Sequence, residues 1–125
     1  MSEPRQTILV VDDNRGNRHF AVVLLKPEGY SVLQARDLGE AIEAIEREHV
    51  DLVLADVRMP GGGGFELYEN LRGGPHAAIP FLLMSAALEP GLLERAKRCA
   101  GLTLVERPID ADEYIALIKA AAQKQ

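Results

Sequence analysis

The sequence predicts an α/β fold of three layers, in which a parallel five-stranded sheet in the order 2-1-3-4-5 carries helices on both faces. Three observations predict it. Short apolar or β-branched runs alternate five times with stretches whose apolar residues recur every three or four positions. The first, third and fourth runs are continuously apolar, as central strands buried on both faces are, while the second and fifth are more polar, as edges are. The chain has 125 residues, 47% of them hydrophobic and 26% charged, which fits one domain with a real core and leaves no room for a second. The structured part is expected over about residues 6–122 of the 1–125 domain.

Each element follows from its residues. Thr7 to Val11 reads as a strand stopped by Asp12 and Asp13. Asn14 caps a helix whose predicted inner stripe is Phe20, Val23 and Leu24, ending near Pro27 and Gly29. Tyr30 to Ala35 is the second strand. Asp37 caps the next helix, with Leu38, Ala41, Ile42 and Ile45 inward and Glu40, Glu43 and Glu46 outward. Asp51 to Ala55 forms the third strand and ends on Asp56. A four-glycine loop leads to a short helix bearing Phe65, Leu67, Tyr68 and Leu71. Ile79 to Met84 is the fourth strand and ends on Ser85. Glu89 to Ala100 is helical with Leu92, Leu93 and Ala96 inward. Leu102 to Val105 is the fifth strand, stopped by Arg107-Pro108, and Asp110 caps a last helix with Tyr114, Ile115, Leu117 and Ile118 as its stripe. Successive βα units joined by right-handed crossovers give the parallel sheet.

Composition narrows the partners. The formal net charge of −5 lacks the positive balance that a phosphate backbone requires, so direct nucleic-acid binding is not expected. The one cysteine, Cys99, has no internal disulfide partner, and reads as a small hydrophobe in a cytoplasmic protein. No apolar run approaches the roughly 20 residues of a membrane span, and the N-terminal residues do not form a signal peptide, so a soluble protein is expected. The histidines 19, 49 and 76 are read as solvated or structural, not as zinc ligands.

The chemistry lies where the strands end. Asp12 and Asp13 follow the first strand, Asp56 the third, Ser85 the fourth and Arg107 the fifth. In this strand order ligands bind outside the carboxyl ends, at the switch point between strands one and three. Three carboxylates there would repel, by roughly 3 kcal/mol per pair at about 5 Å and an effective dielectric near 20, so a proton or a hard metal ion is expected to relieve them. Mg²⁺ suits an all-oxygen site with room for water. A carboxylate can also attack phosphorus, with cation and hydroxyl donors neutralising the phosphoryl oxygens. The plainer reading, that these aspartates merely cap helices, suits Asp12 or Asp13 alone better than the whole set.

Those residues carry a resemblance. Ile8-Leu9-Val10-Val11-Asp12-Asp13-Asn14, Asp51-Leu52-Val53-Leu54-Ala55-Asp56-Val57-Arg58-Met59-Pro60 with Gly64, and Met84-Ser85-Ala86 resemble the response-regulator receiver family across essentially the whole chain. The resemblance implies a flavodoxin-like (βα)5 sandwich and a phosphoacceptor at Asp56. It implies Asp13 as a direct Mg²⁺ ligand, Asp12 as a ligand through water, and Arg58 as a ligand through its backbone carbonyl. Ser85 would bind the phosphoryl group, and small Ala86 would leave access. The implied donor is a phosphohistidine on a sensor histidine kinase or phosphotransfer protein. The output would be a downstream protein or a fused domain, with dimerisation possible through the face made by the fourth helix, fifth strand and fifth helix.

Two positions depart from that family. Arg107 stands where lysine is usual before proline, and a cis bond before Pro108 is implied there. Leu104 stands where a swinging aromatic is common, which removes its hydroxyl contact. The expected function is a phosphorylation-switched signalling module, not a turnover enzyme. The alternatives are a pseudo-receiver that binds partners without phosphorylation, and a flavodoxin-like or phosphatase enzyme. An aspartate-nucleophile phosphatase would carry its second aspartate two residues after the first, a spacing that Asp12-Asp13-Asn14 lacks. The run Gly61 to Gly64 lacks the Gly-Lys-Ser/Thr ending of a phosphate-cradling loop and is expected to be a mobile loop beside the site.

Overall fold

A computed structural model describes residues 5–107 and 109–123. Five strands, β1 (Thr7–Val11), β2 (Ser31–Ala35), β3 (Leu52–Asp56), β4 (Phe81–Ser85) and β5 (Leu102–Glu106), alternate with five α-helices. The helices are α1 (Arg15–Leu25), α2 (Leu38–Arg47), α3 (Gly64–Leu71), α4 (Pro90–Lys97) and α5 (Ala111–Ala122). All strand pairs are parallel, and the order is β2-β1-β3-β4-β5, as expected. The register of β1 and β3 sets Val11 beside Ala55, so both strands deliver their aspartates at one edge.

Alternation along the central strands divides the core in two. Leu9, Val11, Val53, Ala55, Phe81 and Leu83 face α2 and α3, where Tyr68 meets Phe81 edge-to-face at 5.3 Å. Ile8, Val10, Leu52, Leu54, Leu82 and Met84 face α1 and α5. Asn14, Asp37 and Asp110 cap α1, α2 and α5, each side chain accepting from the N–H three residues on.

The inner face of α1 differs from the expected stripe. Ala21 and Leu25 are buried and the expected Leu24 packs partly buried on the core, while Phe20 and Val23 are 43% and 53% exposed. A small residue lets the helix backbone approach the sheet, and the bulky neighbours fall at the margin. Phe20 instead lies edge-to-face against Tyr114 of α5 at 5.3 Å. On α4, which is shorter than expected, Leu92 and Ala96 pack on the core and Leu93 is exposed. Cys99 follows that helix, buried, with its thiol donating to the Arg95 carbonyl at 3.3 Å. Among the described residues no helix is long and apolar enough to cross a membrane.

Two glycines of the run expected to be a mobile loop, Gly63 and Gly64, are packed against their neighbours. Gly61 and Gly62 take positive φ of 82° and 134°. Gly63 and Gly64 are buried. A Cβ on Gly63 would stand 1.9 Å from the Val57 carbonyl oxygen, and one on Gly64 would stand 2.5 Å from Leu83 Cδ2 and 3.0 Å from the Asp56 carbonyl oxygen. Glu66 accepts from the Gly63 N–H at 2.8 Å and closes the start of α3. These glycines let two backbones touch directly beneath Asp56.

Candidate functional site

Two of the three expected acids converge, and both are held alike. Asp12 Oδ1 accepts from the Asn14 N–H at 2.9 Å, and Asp56 Oδ1 accepts from the Arg58 N–H at 2.9 Å. The backbone two residues on therefore fixes one oxygen of each. Arg107 takes the other pair: Nη1 donates to Asp56 Oδ2 at 2.6 Å and Nη2 to Asp12 Oδ2 at 3.0 Å. Asn17, one helical turn after the cap, adds Nδ2 to Asp12 Oδ2 at 3.1 Å, and Arg18 Nη1 donates to the Asp12 carbonyl at 2.8 Å.

Burial makes this bridge matter. The Asp12 side chain is 3% exposed and that of Asp56 17%, while Arg107 remains 28% exposed. Burial works against the Arg107 charge, but the hydrogen bond and charge of Asp56, then those of Asp12, outweigh it and hold the guanidinium above its ordinary value. The repulsion that was expected to call for a proton or a metal ion is met here by an arginine.

The remaining expected residues take other positions. Asp13 is exposed, and its side chain makes no hydrogen bond or ion pair among the described residues. Ser85 is buried and turned to its own loop, donating to the Ala87 carbonyl at 2.7 Å. It nonetheless borders a cleft of about 300 Å³ lined by Asp56, Arg58, Ala86, Ala87 and Glu89. The Arg58 side chain is exposed and pairs with Glu89 at 2.8 Å, while its N–H serves Asp56. Leu104 is half-buried against the α2–α3 core. The expected cis bond before Pro108 lies outside the described residues. His49 pairs with Asp51 at 2.8 Å, and His19 is exposed.

Sequence reading missed Asn17 and Arg18. Their signal is spacing, because residues three and four after a cap turn back toward the strand end that precedes the helix.

Among the described residues no three His, Cys, Asp or Glu side chains are grouped to hold a metal ion; Arg107 ties Asp12 to Asp56, and Asp13 stands exposed beside Asp12. These acids still suit a hard divalent ion. Their donors are all oxygen, two of them already carry a cation, and Mg²⁺ commonly takes only one or two carboxylates and keeps its waters.

Comparison with known proteins bears on family and fold. The model of the response regulator receiver domain family matches residues 8–119. The CAI-1 autoinducer sensor kinase/phosphatase CqsS of Vibrio cholerae is 35% identical over 97% of this chain, which spans 18% of that protein. Sporulation initiation phosphotransferase F of Bacillus subtilis is 31% identical, with 91% of each chain covered. Among solved structures, the chemotaxis protein CheY4 of Vibrio cholerae superposes with a TM-score of 0.87 at 23% identity, over 94% of this chain and 99% of that one. That last likeness shows the fold.

Proposed function

The chain belongs to the response regulator receiver domain family and is a receiver domain of two-component signalling, and on that premise we propose that it accepts a phosphoryl group on Asp56. The observation that carries the proposal is the setting of Asp56. It ends the middle strand with one oxygen anchored by backbone, the other held by Arg107, and a cleft bordered by Ser85 beside it.

In the proposed reaction an Asp56 oxygen attacks phosphorus of a phosphohistidine. The P–N bond breaks, and its electron pair stays on the imidazole nitrogen, which then takes a proton. Asp13, Asp56 and the Arg58 backbone carbonyl would hold Mg²⁺ directly, with Asp12 acting through water. Bound there, the ion would neutralise the phosphoryl oxygens as charge shifts onto them. The Arg58 N–H keeps Asp56 oriented toward the cleft. Ser85, freed from Ala87, would donate to a phosphoryl oxygen. Ala86 leaves the entrance uncrowded. The donor would be a sensor histidine kinase or phosphotransfer protein, and self-phosphorylation and slow self-hydrolysis would belong to the switch.

One observation favours a second reading. Arg107 occupies the Asp56 oxygen that would otherwise be free, which suits a pseudo-receiver that binds partners without phosphorylation. A single experiment separates the two. Incubated with acetyl phosphate and Mg²⁺, the wild type gains the mass of one phosphate in intact mass spectrometry, and Asp56→Ala does not. A wild type that stays unmodified at saturating Mg²⁺ would leave the pseudo-receiver.

A further inference from the structure

We infer that the cavity between α1 and α5 is a binding site for a small neutral aromatic molecule bearing one hydroxyl or carbonyl group, which the Tyr114 hydroxyl holds. The inference stands apart from the reading of Asp56, because this cavity shares no lining residue with the cleft beside that acid. At about 350 Å³ it falls in the range of small-ligand pockets, and like them it joins an apolar body to a few polar groups. Val10, Leu54 and Met84, on the sheet face turned to these helices, supply the apolar floor. Such a floor holds water poorly, so an apolar occupant gains by displacing it.

Two features select an aromatic occupant. Phe20 and Tyr114 meet edge-to-face at 5.3 Å and form one wall, yet Phe20 is still 43% exposed. A third ring laid against this pair would cover it in the offset or edge-to-face geometry that rings prefer. Met84 in the floor adds a polarisable thioether, another favourable neighbour for a ring.

The polar groups decide the rest. Tyr114 is only 5% exposed, and its hydroxyl makes no hydrogen bond among the described residues. No side-chain oxygen sealed in the packing lacks a partner among those residues, so this hydroxyl opens on the cavity. The charges of Arg107 and Asp12 both act on it, which sets it toward the polar end where those two side chains meet. A hydroxyl so enclosed gains from any donor or acceptor brought to it. An anion is the wrong guest. Asp12 and Asp56 leave a surplus of negative charge over Arg107, and both Arg107 Nη atoms are already engaged. The occupant is therefore neutral, with its ring on the floor and its polar group at Tyr114.

The test is an NMR titration of the methyl-labelled protein with benzyl alcohol, toluene and benzoate, in the wild type, Tyr114→Phe and Phe20→Ala. Benzyl alcohol should bind saturably and shift the methyls of Val10, Leu54 and Met84, while those of Val53 and Leu83 on the opposite face stay in place. Toluene should bind about tenfold more weakly, the worth of one hydrogen bond, and benzoate should not bind. Tyr114→Phe should bring benzyl alcohol down to the level of toluene and leave toluene unchanged. Phe20→Ala, a change at an exposed position, should weaken both. The inference is overturned if toluene matches benzyl alcohol, if benzoate binds as well, or if either substitution leaves benzyl alcohol unaffected. It is overturned equally by the lack of any saturable shift, or by shifts centred on Val53 and Leu83.

Discussion

The two faces of the sheet are built on different plans. On the α2–α3 face the packing is close enough that Gly63 and Gly64 have no room for a methyl group, and Tyr68 and Phe81 interlock. On the α1–α5 face, Val10, Leu54 and Met84 line an open cavity of about 350 Å³, and Phe20 sits half outside it. The contrast teaches how one loop can be both fixed and usable. The tight face sets the Asp56 backbone, while the loose face leaves space beside Asp12 and Arg107 for side chains to move.

Four substitutions probe that contrast. The largest effect is expected for Gly63→Ala, whose new methyl meets the Val57 carbonyl. It should destabilise the fold by at least about 3 kcal/mol, measured by urea unfolding, and a cost under about 1 kcal/mol would mean this face yields easily. Next comes a matched pair. Leu83→Ala on the tight face should cost about 4 kcal/mol, and Leu54→Ala, which already borders a void, nearer about 2 kcal/mol. Equal costs would erase the distinction.

The smallest effect concerns alkaline pH. Burial, its strongest influence, raises Tyr114 above its ordinary 10.0, opposed by the Arg107 charge and aided by Asp12. The folded state thus favours the protonated phenol. The associated stability is complete below pH 10 and is lost as pH rises from there toward the folded-state value. Tyr114→Phe should flatten part of this loss in melting temperature between about pH 9 and 11. Tyr30, also raised chiefly by burial, stays in that variant, so some loss should persist. An unchanged slope would mean that Tyr114 is wetter than its setting implies.

Much of the frame was legible because it depends on local pattern. Apolar runs ended by Asp12, Asp56 and Ser85 mark strand ends wherever the chain later goes, and parallel topology then gathers them at one edge. What depends on reach across space was not legible. Nothing in the residues near Arg107 says that its side chain passes over β4 to touch two acids. Phe20 and Val23 satisfy helical spacing as well as Ala21 and Leu25 do, and only the close approach of α1 to the sheet chooses between them. Likewise, Gly61 to Gly64 read as loose until the neighbours that require two of them are known.

The Arg107 bridge starts beyond β5, an outer strand, and ends on residues that follow β3 and β1. At roughly 4.8 Å per strand interval it reaches across about 14 Å of sheet, tying the rim to the middle like a stay rope. Slackening that rope at its inner anchorage would loosen the rim, so a change of charge at two acids in the middle of the sheet would be felt at its outer strand.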